Sequence, residues 1–206
     1  LIPMLETLLD WLETLSSNPW FYLIIFVIAM LDSVVPIVPS ETTVILGGIA
    51  AGQGNLWLPL VILLGAAGAF AGDNIAYWLG RRLEGFLRRR VFSREKGKAR
   101  LEWAERQLRL RGGMLLVTAR FIPGGRTAIT VSSGITRQPY PRFVAFALLA
   151  CVLWATYAGV LGFVFGDQFK DDHTKAFLLA FVAALSVSAL VEAGRWLRHR
   201  TRDSSS

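Results

Sequence analysis

Ala119-Arg120-Phe121-Ile122-Pro123-Gly124-Gly125-Arg126-Thr127 sets two arginines six residues apart around a Pro-Gly-Gly turn, inside a stretch that is otherwise apolar or uncharged from Gly112 to Thr136. Proline and paired glycines interrupt a helix and release backbone N–H and C=O groups. At membrane depth such backbone is tolerated only where it is buried in protein or lines a wet cavity. If its surroundings are membrane, this segment is a re-entrant hairpin with its turn in the interior.

The flanking sequence says that they are. The chain has 206 residues, 53% hydrophobic and 18% charged, with mean hydropathy +0.47, too apolar for an ordinary soluble domain of this size. No charge occurs from Thr42 to Gly72 or from Phe143 to Gly166, and each run exceeds the roughly 20 residues that a spanning helix needs. Trp20–Leu31 and Ala176–Val191 reach that length once a flanking charge is tolerated.

Charge sets the orientation. Twelve Lys and Arg against four acids fall between Arg81 and Arg111, and four more arginines follow Gly194. By the positive-inside rule both segments are cytoplasmic, and the acidic link Asp167–Lys175 lies outside. Glu6, Asp10 and Glu13, with no basic residue near them, favour the outside for the N-terminus. The first 19 residues are acidic and amphipathic, unlike a cleavable signal, which starts basic. Within 81–111 apolar residues recur near helical spacing among the arginines, as in an amphipathic helix lying on anionic headgroups. The net charge of +7 is therefore read as a membrane-facing feature, and nucleic acid is not expected as a partner.

A second interrupted segment, Leu31–Gly54, carries Asp32, Pro36, Pro39, Glu41 and Gly47-Gly48. Val38-Pro39-Ser40-Glu41-Thr42 lies over Ile122-Pro123-Gly124-Gly125-Arg126-Thr127 with one residue inserted and the charge inverted. Each segment precedes an apolar span with a tyrosine and spaced glycines. The first span runs inward to the basic segment and the second outward, which makes an inverted repeat, the plan of many secondary transporters.

The expected fold is thus all-α and integral to the membrane, an inverted repeat of re-entrant helical hairpin plus transmembrane helix with a cytoplasmic amphipathic segment. A single membrane domain, 1–206, divides into an N-terminal amphipathic segment (1–19), first span and re-entrant hairpin (20–54), transmembrane helix (55–80), basic cytoplasmic segment (81–111), second re-entrant hairpin (112–141), transmembrane helices (142–166 and 174–194) and cytoplasmic tail (195–206). A homo-oligomer is compatible with this layout.

Ionisable groups inside a bilayer are expensive, by roughly 2.5–3.5 kcal/mol each, so they mark function by default. Five are expected here: Asp32, Glu41, Asp73, Arg120 and Arg126. Arginine keeps its charge when desolvated and presents a planar fork that suits phosphate or carboxylate. Arg120 and Arg126, with the turn N–H groups of Gly124 and Gly125, are the candidate anion site. Asp32, Glu41 and Asp73 are candidates for taking up and releasing protons. Glu41 and Arg126, matched at the two turns, are expected to approach each other. Ion pairs that merely pin hairpins to spans are the structural alternative.

Other chemistry finds little support. His173 and His199 lack metal-ligand spacing to a second ligand, so no metal and no cofactor is expected. Cys151, the single cysteine, has no intrachain partner and reads as packing. Gly68–Gly72 and Gly162–Gly166 read as close helix contacts, and Trp20, Trp57, Trp78, Trp103 and Trp196 as interfacial anchors.

Leu31-Asp32 with Pro36-Ile37-Val38-Pro39-Ser40-Glu41, then Gly72-Asp73-Asn74-Ile75-Ala76-Tyr77-Trp78-Leu79-Gly80, then the arginine element, together resemble the DedA family, the bacterial branch of the VTT (SNARE-associated Golgi protein) group, over residues 15 to 195. The resemblance implies two re-entrant hairpins with flanking spans, a bacterial inner-membrane location and movement of lipids between leaflets. It implies functional roles for Asp32, Glu41, Arg120 and Arg126, with Asp73 belonging to a subgroup pattern. The implied activity is a flippase-like or scramblase-like transporter, not an enzyme. Its cargo would be a lipid phosphate, undecaprenyl phosphate first, moved with proton coupling. Phosphatidylethanolamine, or a small ion or drug carried by the same fold, is the alternative; a lipid phosphatase is disfavoured because both histidines lie far from Arg120 in sequence.

Overall fold

The computed structural model describes residues 18–35, 40–90, 112–121 and 125–168, with 106, 108, 110, 179 and 182. The segment expected over 195–206, nearly all of that over 174–194, most of 1–19, and residues 91–105 lie outside the described residues. Among those described, all regular structure is helical. The elements are α1 (Trp20–Val34), α2 (Ser40–Gly52), α3 (Leu58–Arg90), a 3₁₀ turn (Ala119–Phe121), α4 (Gly125–Ile135) and α5 (Tyr140–Gln168). Residues 112–118 are also helical.

Local chemistry places most of these boundaries. Asn18 begins α1, its side-chain oxygen accepting from the Trp20 amide at 3.2 Å, and Pro19 follows where its missing N–H costs nothing. α1 ends two residues before Pro36, since proline disfavours helical geometry at the preceding residue. α2 stops in a Schellman motif. Asn55 donates to the Ala50 carbonyl at 2.9 Å, Gly54 to Ala51 at 3.1 Å, and Gly54 takes a φ of 89°. α4 stops the same way, with Gln138 donating to Ser133 at 3.0 Å and Arg137 to Gly134 at 3.1 Å. There Arg137 holds the left-handed position with φ 51°, which is strained for a side chain with a Cβ. The two long helices then open with Leu58-Pro59 and Tyr140-Pro141.

α3 is one helix of 33 residues, continuing from the apolar run through Arg81 and Arg82 to Arg90. Leu58–Phe86 and Tyr140–Gln168 are each long and apolar enough to cross a membrane.

The chain forms two compact units, one of residues 1–24, 41–62 and 156–206, the other of 25–40 and 63–155. In the first, α2 crosses the C-terminal part of α5 at backbone contact: a Cβ on Gly48 or Gly52 would strike the carbonyl of Gly159 or Phe163, and one on Gly162 or Gly166 the carbonyl of Ile45 or Ile49. Small residues on both helices allow this approach in lipid, where packing and not hydrophobicity drives association. Tyr22 accepts the Trp57 amide on its hydroxyl at 2.7 Å, tying the start of α3 to α1.

In the second unit α1 lies on α3 at Gly68 and Gly72, and α4 lies on α3 through Gly80 beneath Val131 and Gly134 beneath Tyr77. The core gathers Tyr77, Leu116, Phe143 and Ala147, with Phe70, Ile129, Val144 and Phe146 around them. Tyr77 stacks on Phe143 with ring centroids 4.5 Å apart and donates its hydroxyl to the Gln138 carbonyl at 2.6 Å. Trp20, Trp57 and Trp78 are exposed, as anchors at a membrane interface would be.

Candidate functional site

The second unit buries a four-charge cluster. Asp73 projects from α3 one residue after Gly72, so the close approach of α1 to Gly72 also encloses the carboxylate. Its two oxygens serve two arginines: Oδ2 accepts from Arg120 Nη2 at 2.5 Å and Oδ1 from Arg126 Nε at 2.9 Å. Arg126 Nη1 reaches Asp32 Oδ2 on α1 at 3.2 Å, and its Nη2 donates to the Ala69 carbonyl at 3.2 Å. Asp32 Oδ2 also accepts from the Ser40 hydroxyl at 2.6 Å. The result is a chain of bonds, Ser40–Asp32–Arg126–Asp73–Arg120. Around it, Thr127 donates to the Ser33 carbonyl, and the Ser33 hydroxyl lies 3.2 Å from the carbonyls of Ala29 and Ala69.

α5 closes the cluster. Cys151 Sγ accepts from Arg120 Nη2 at 2.7 Å and lies 3.5 Å from Asp73 Oδ2. One turn on, the Trp154 ring carries both guanidiniums, with Cζ of Arg120 at 5.6 Å and of Arg126 at 5.9 Å from its centroid. The Arg120 side chain is 2% exposed, Asp73 4%, Arg126 10% and Asp32 22%, so the cluster is most open on the Asp32 side.

Two nitrogens of Arg120, Nε and Nη1, are buried without a hydrogen-bond partner among the described residues. Leaving donors of a buried cation unsatisfied costs a few kcal/mol, so native proteins reserve such groups for a ligand, a water or a mechanistic role. Formally two carboxylates balance two guanidiniums. An arriving anion therefore finds donors ready but no net positive charge unless a carboxylate is protonated.

Four of the residues singled out from sequence, Asp32, Asp73, Arg120 and Arg126, thus meet in one cluster. Asp73, read there as a subgroup feature, bonds both arginines. Gly125 starts α4 immediately before Arg126, while Gly124 lies outside the described residues. Glu41 belongs to the other unit, within electrostatic reach of Tyr157; the ion pairs described for Arg126 run to Asp73 and Asp32. Cys151, read as packing, touches two of the charged groups. Ser40 and Trp154 carried no signal as site residues. Serine at a helix start and tryptophan in an apolar run are ordinary, and only the helix crossings bring them to the charges. No group of three or more His, Cys, Asp or Glu able to hold a metal occurs among the described residues.

An all-helical protein with spanning helices and a buried cluster of paired charges is an integral membrane protein with a polar interior site. The chain belongs to the VTT-domain family, the DedA group: the VTT domain matches residues 38–164. It is 32% identical to the inner membrane protein YohD of Escherichia coli over 76% of this chain and 81% of that one. It is 30% identical to undecaprenyl phosphate transporter A of Bacillus subtilis over 66% and 70%, and 23% identical to the protein DedA of Escherichia coli over 89% and 86%. No solved structure matches it.

Proposed function

We propose that this protein carries a lipid phosphate, undecaprenyl phosphate in the first place, between the leaflets of a bacterial cytoplasmic membrane. The observation that carries the reading is Arg120, whose buried guanidinium keeps two nitrogens without a partner beside a second arginine. A phosphate monoester offers several acceptor oxygens to such donors. The relative named as an undecaprenyl phosphate transporter supports the choice of cargo. The lipid tail stays in the bilayer, so the protein needs to shelter only the headgroup. Because the cluster is formally neutral, a captured dianion is half compensated when Asp32 or Asp73 takes up a proton and fully when both do. Glu41 is the third proton-handling group.

The architecture we infer is the inverted repeat with two re-entrant hairpins, multi-pass, with the basic segment 81–111 on anionic headgroups of the cytoplasmic leaflet. Three parallels support the repeat. Both α2 and α4 end in the same Schellman motif, and both α3 and α5 open with a proline in the first turn. Gly80 and Gly162, each at a backbone crossing, stand 21 residues after Pro59 and Pro141.

The test is flux in proteoliposomes. Undecaprenyl phosphate should change leaflets faster than in protein-free vesicles, and added lipid phosphates should compete. Transport of neither undecaprenyl phosphate nor phosphatidylethanolamine would end the reading, and transport of phosphatidylethanolamine alone would change the cargo.

A further inference from the structure

We infer that Trp154 is the positioning residue of the anion site, an aromatic shelf that holds Arg120 and Arg126 side by side and keeps the spare nitrogens of Arg120 unengaged. Two guanidiniums bonded to one carboxylate repel each other, and while Asp32 and the Ala69 carbonyl also hold Arg126, Arg120 is held besides Asp73 only by the weak acceptor Cys151 among the described residues, through the same Nη2. Both Cζ atoms lie within 6 Å of the Trp154 centroid, the range in which a cation is held by the ring face. The ring is 5% exposed, and desolvation makes such contacts stronger than at a surface. It offers attraction without an acceptor atom. A carboxylate or carbonyl in its place would consume the N–H groups of Arg120 that are unpartnered. Cys151, one turn earlier on α5, reports the same arrangement, because its thiol receives Arg120 Nη2.

The role is tested by comparing Trp154→Phe, which keeps an aromatic face, with Trp154→Leu, which removes it. The flux arm of the test rests on the transport reading; a second arm does not. Cys151 is the only cysteine in the chain, so N-ethylmaleimide reports one site by mass spectrometry without any substrate. With the ring gone, Arg120 loses its shelf and the thiol its fixed partner. Arg120 released from its shelf uncovers the thiol, and this gain in access outweighs the loss of a cation that favours the thiolate, so alkylation should be faster in Trp154→Leu than in wild type, with Trp154→Phe recovering most of the protection. The undecaprenyl phosphate concentration for half-maximal flux should rise about tenfold in Leu, the scale of one desolvated cation–π contact, and fall back towards wild type in Phe, while the maximal rate changes less. Should Trp154→Leu fail to fold, wild-type protein grown with fluorinated tryptophan gives the same comparison at constant shape, since fluorine depletes the ring face, and labelling should again accelerate. Equal labelling and equal half-saturation in Phe, Leu and wild type, or unchanged labelling in the fluorinated protein, would overturn the role of Trp154 and leave the transport reading intact. Absent flux in wild type, with the labelling difference preserved, would remove the transport reading and leave Trp154 as the shelf.

Discussion

Arg126 Nε meets Asp73 Oδ1 at 2.9 Å while Arg120 takes the other oxygen of the same carboxylate, so one acid on α3 fixes both the arginine of the 3₁₀ turn and the arginine in the first turn of α4. Removing a single charge from a buried network leaves its partners uncompensated, at a cost of about 3–5 kcal/mol. Asp73→Asn should therefore lower the melting temperature in detergent and abolish flux, more severely than Asp32→Asn, whose side chain is more exposed and bonds one arginine. Equal stability of Asp73→Asn and wild type would contradict the hub role.

Arg126→Lys keeps the charge but replaces three directed contacts, to Asp73, Asp32 and the Ala69 carbonyl, with a point ammonium. Flux should fall by at least about tenfold, the equivalent of roughly 1.4 kcal/mol or one charged hydrogen bond. Full flux would reduce Arg126 to generic electrostatics.

Glycines divide into two kinds. A Cβ at Gly80 would collide with the Val131 backbone, whereas nothing lies within 4 Å of one at Gly85 on the same helix. Gly80→Ala should destabilise the protein by several degrees in a thermal scan. Gly85→Ala should be neutral or stabilising by up to about 1 kcal/mol, the helix-propensity difference. Similar behaviour of the two would mean that α4 does not lie against α3 as described.

α5 is legible in the sequence because the charge-free run Phe143–Gly166 falls within one helix, whereas the run Thr42–Gly72 is divided between α2 and α3, and α3 is carried on past Asp73 by residues that a charge count alone would exclude. The end of α1 at Val34, two residues before Pro36, and the start of α4 at Gly125, two residues after Pro123, are legible because proline acts locally. Partner choice is not local. Which carboxylate meets Arg126 depends on helix crossings set by Gly68, Gly72, Gly80 and Gly134, contacts between residues far apart in the chain. Matching the two hairpin turns by eye favours Glu41 for Arg126, and the structure brings Asp73 and Asp32 to it. Cys151 and Trp154 are invisible for another reason: both types belong in any apolar helix, and only their neighbours make them polar contacts.

The orientation proposed from the charge distribution is checked by labelling. In a Cys151→Ala background, cysteines at Ser93 and Ser205 should react only from the cytoplasmic side and one at Gln168 only from outside. Reaction of position 93 from outside would reverse the topology and remove the inversion from the repeat.

Under the proposed transport, charge balance makes binding a proton-linked event. Capture of a phosphate dianion by a formally neutral cluster should draw a proton from solution, seen as alkalinisation of a weakly buffered detergent sample when undecaprenyl phosphate is added. Affinity should then rise as pH falls, until the phosphate itself becomes a monoanion near pH 6. Binding with no proton uptake at pH 7.5 would show that Asp32 and Asp73 stay charged throughout.

Whether the spare nitrogens of buried Arg120 receive the phosphate is decided by the flux of undecaprenyl phosphate in proteoliposomes of wild type, Arg120→Lys and Arg120→Gln, each checked for monodisperse folded protein before reconstitution. Lysine can keep the ion pair with Asp73 but cannot present the remaining donors of the guanidinium plane. Flux is expected in wild type and background rates in both variants, with Arg120→Lys retaining more of the wild-type thermal stability than Arg120→Gln. Wild-type flux in folded Arg120→Lys would contradict phosphate capture by these nitrogens.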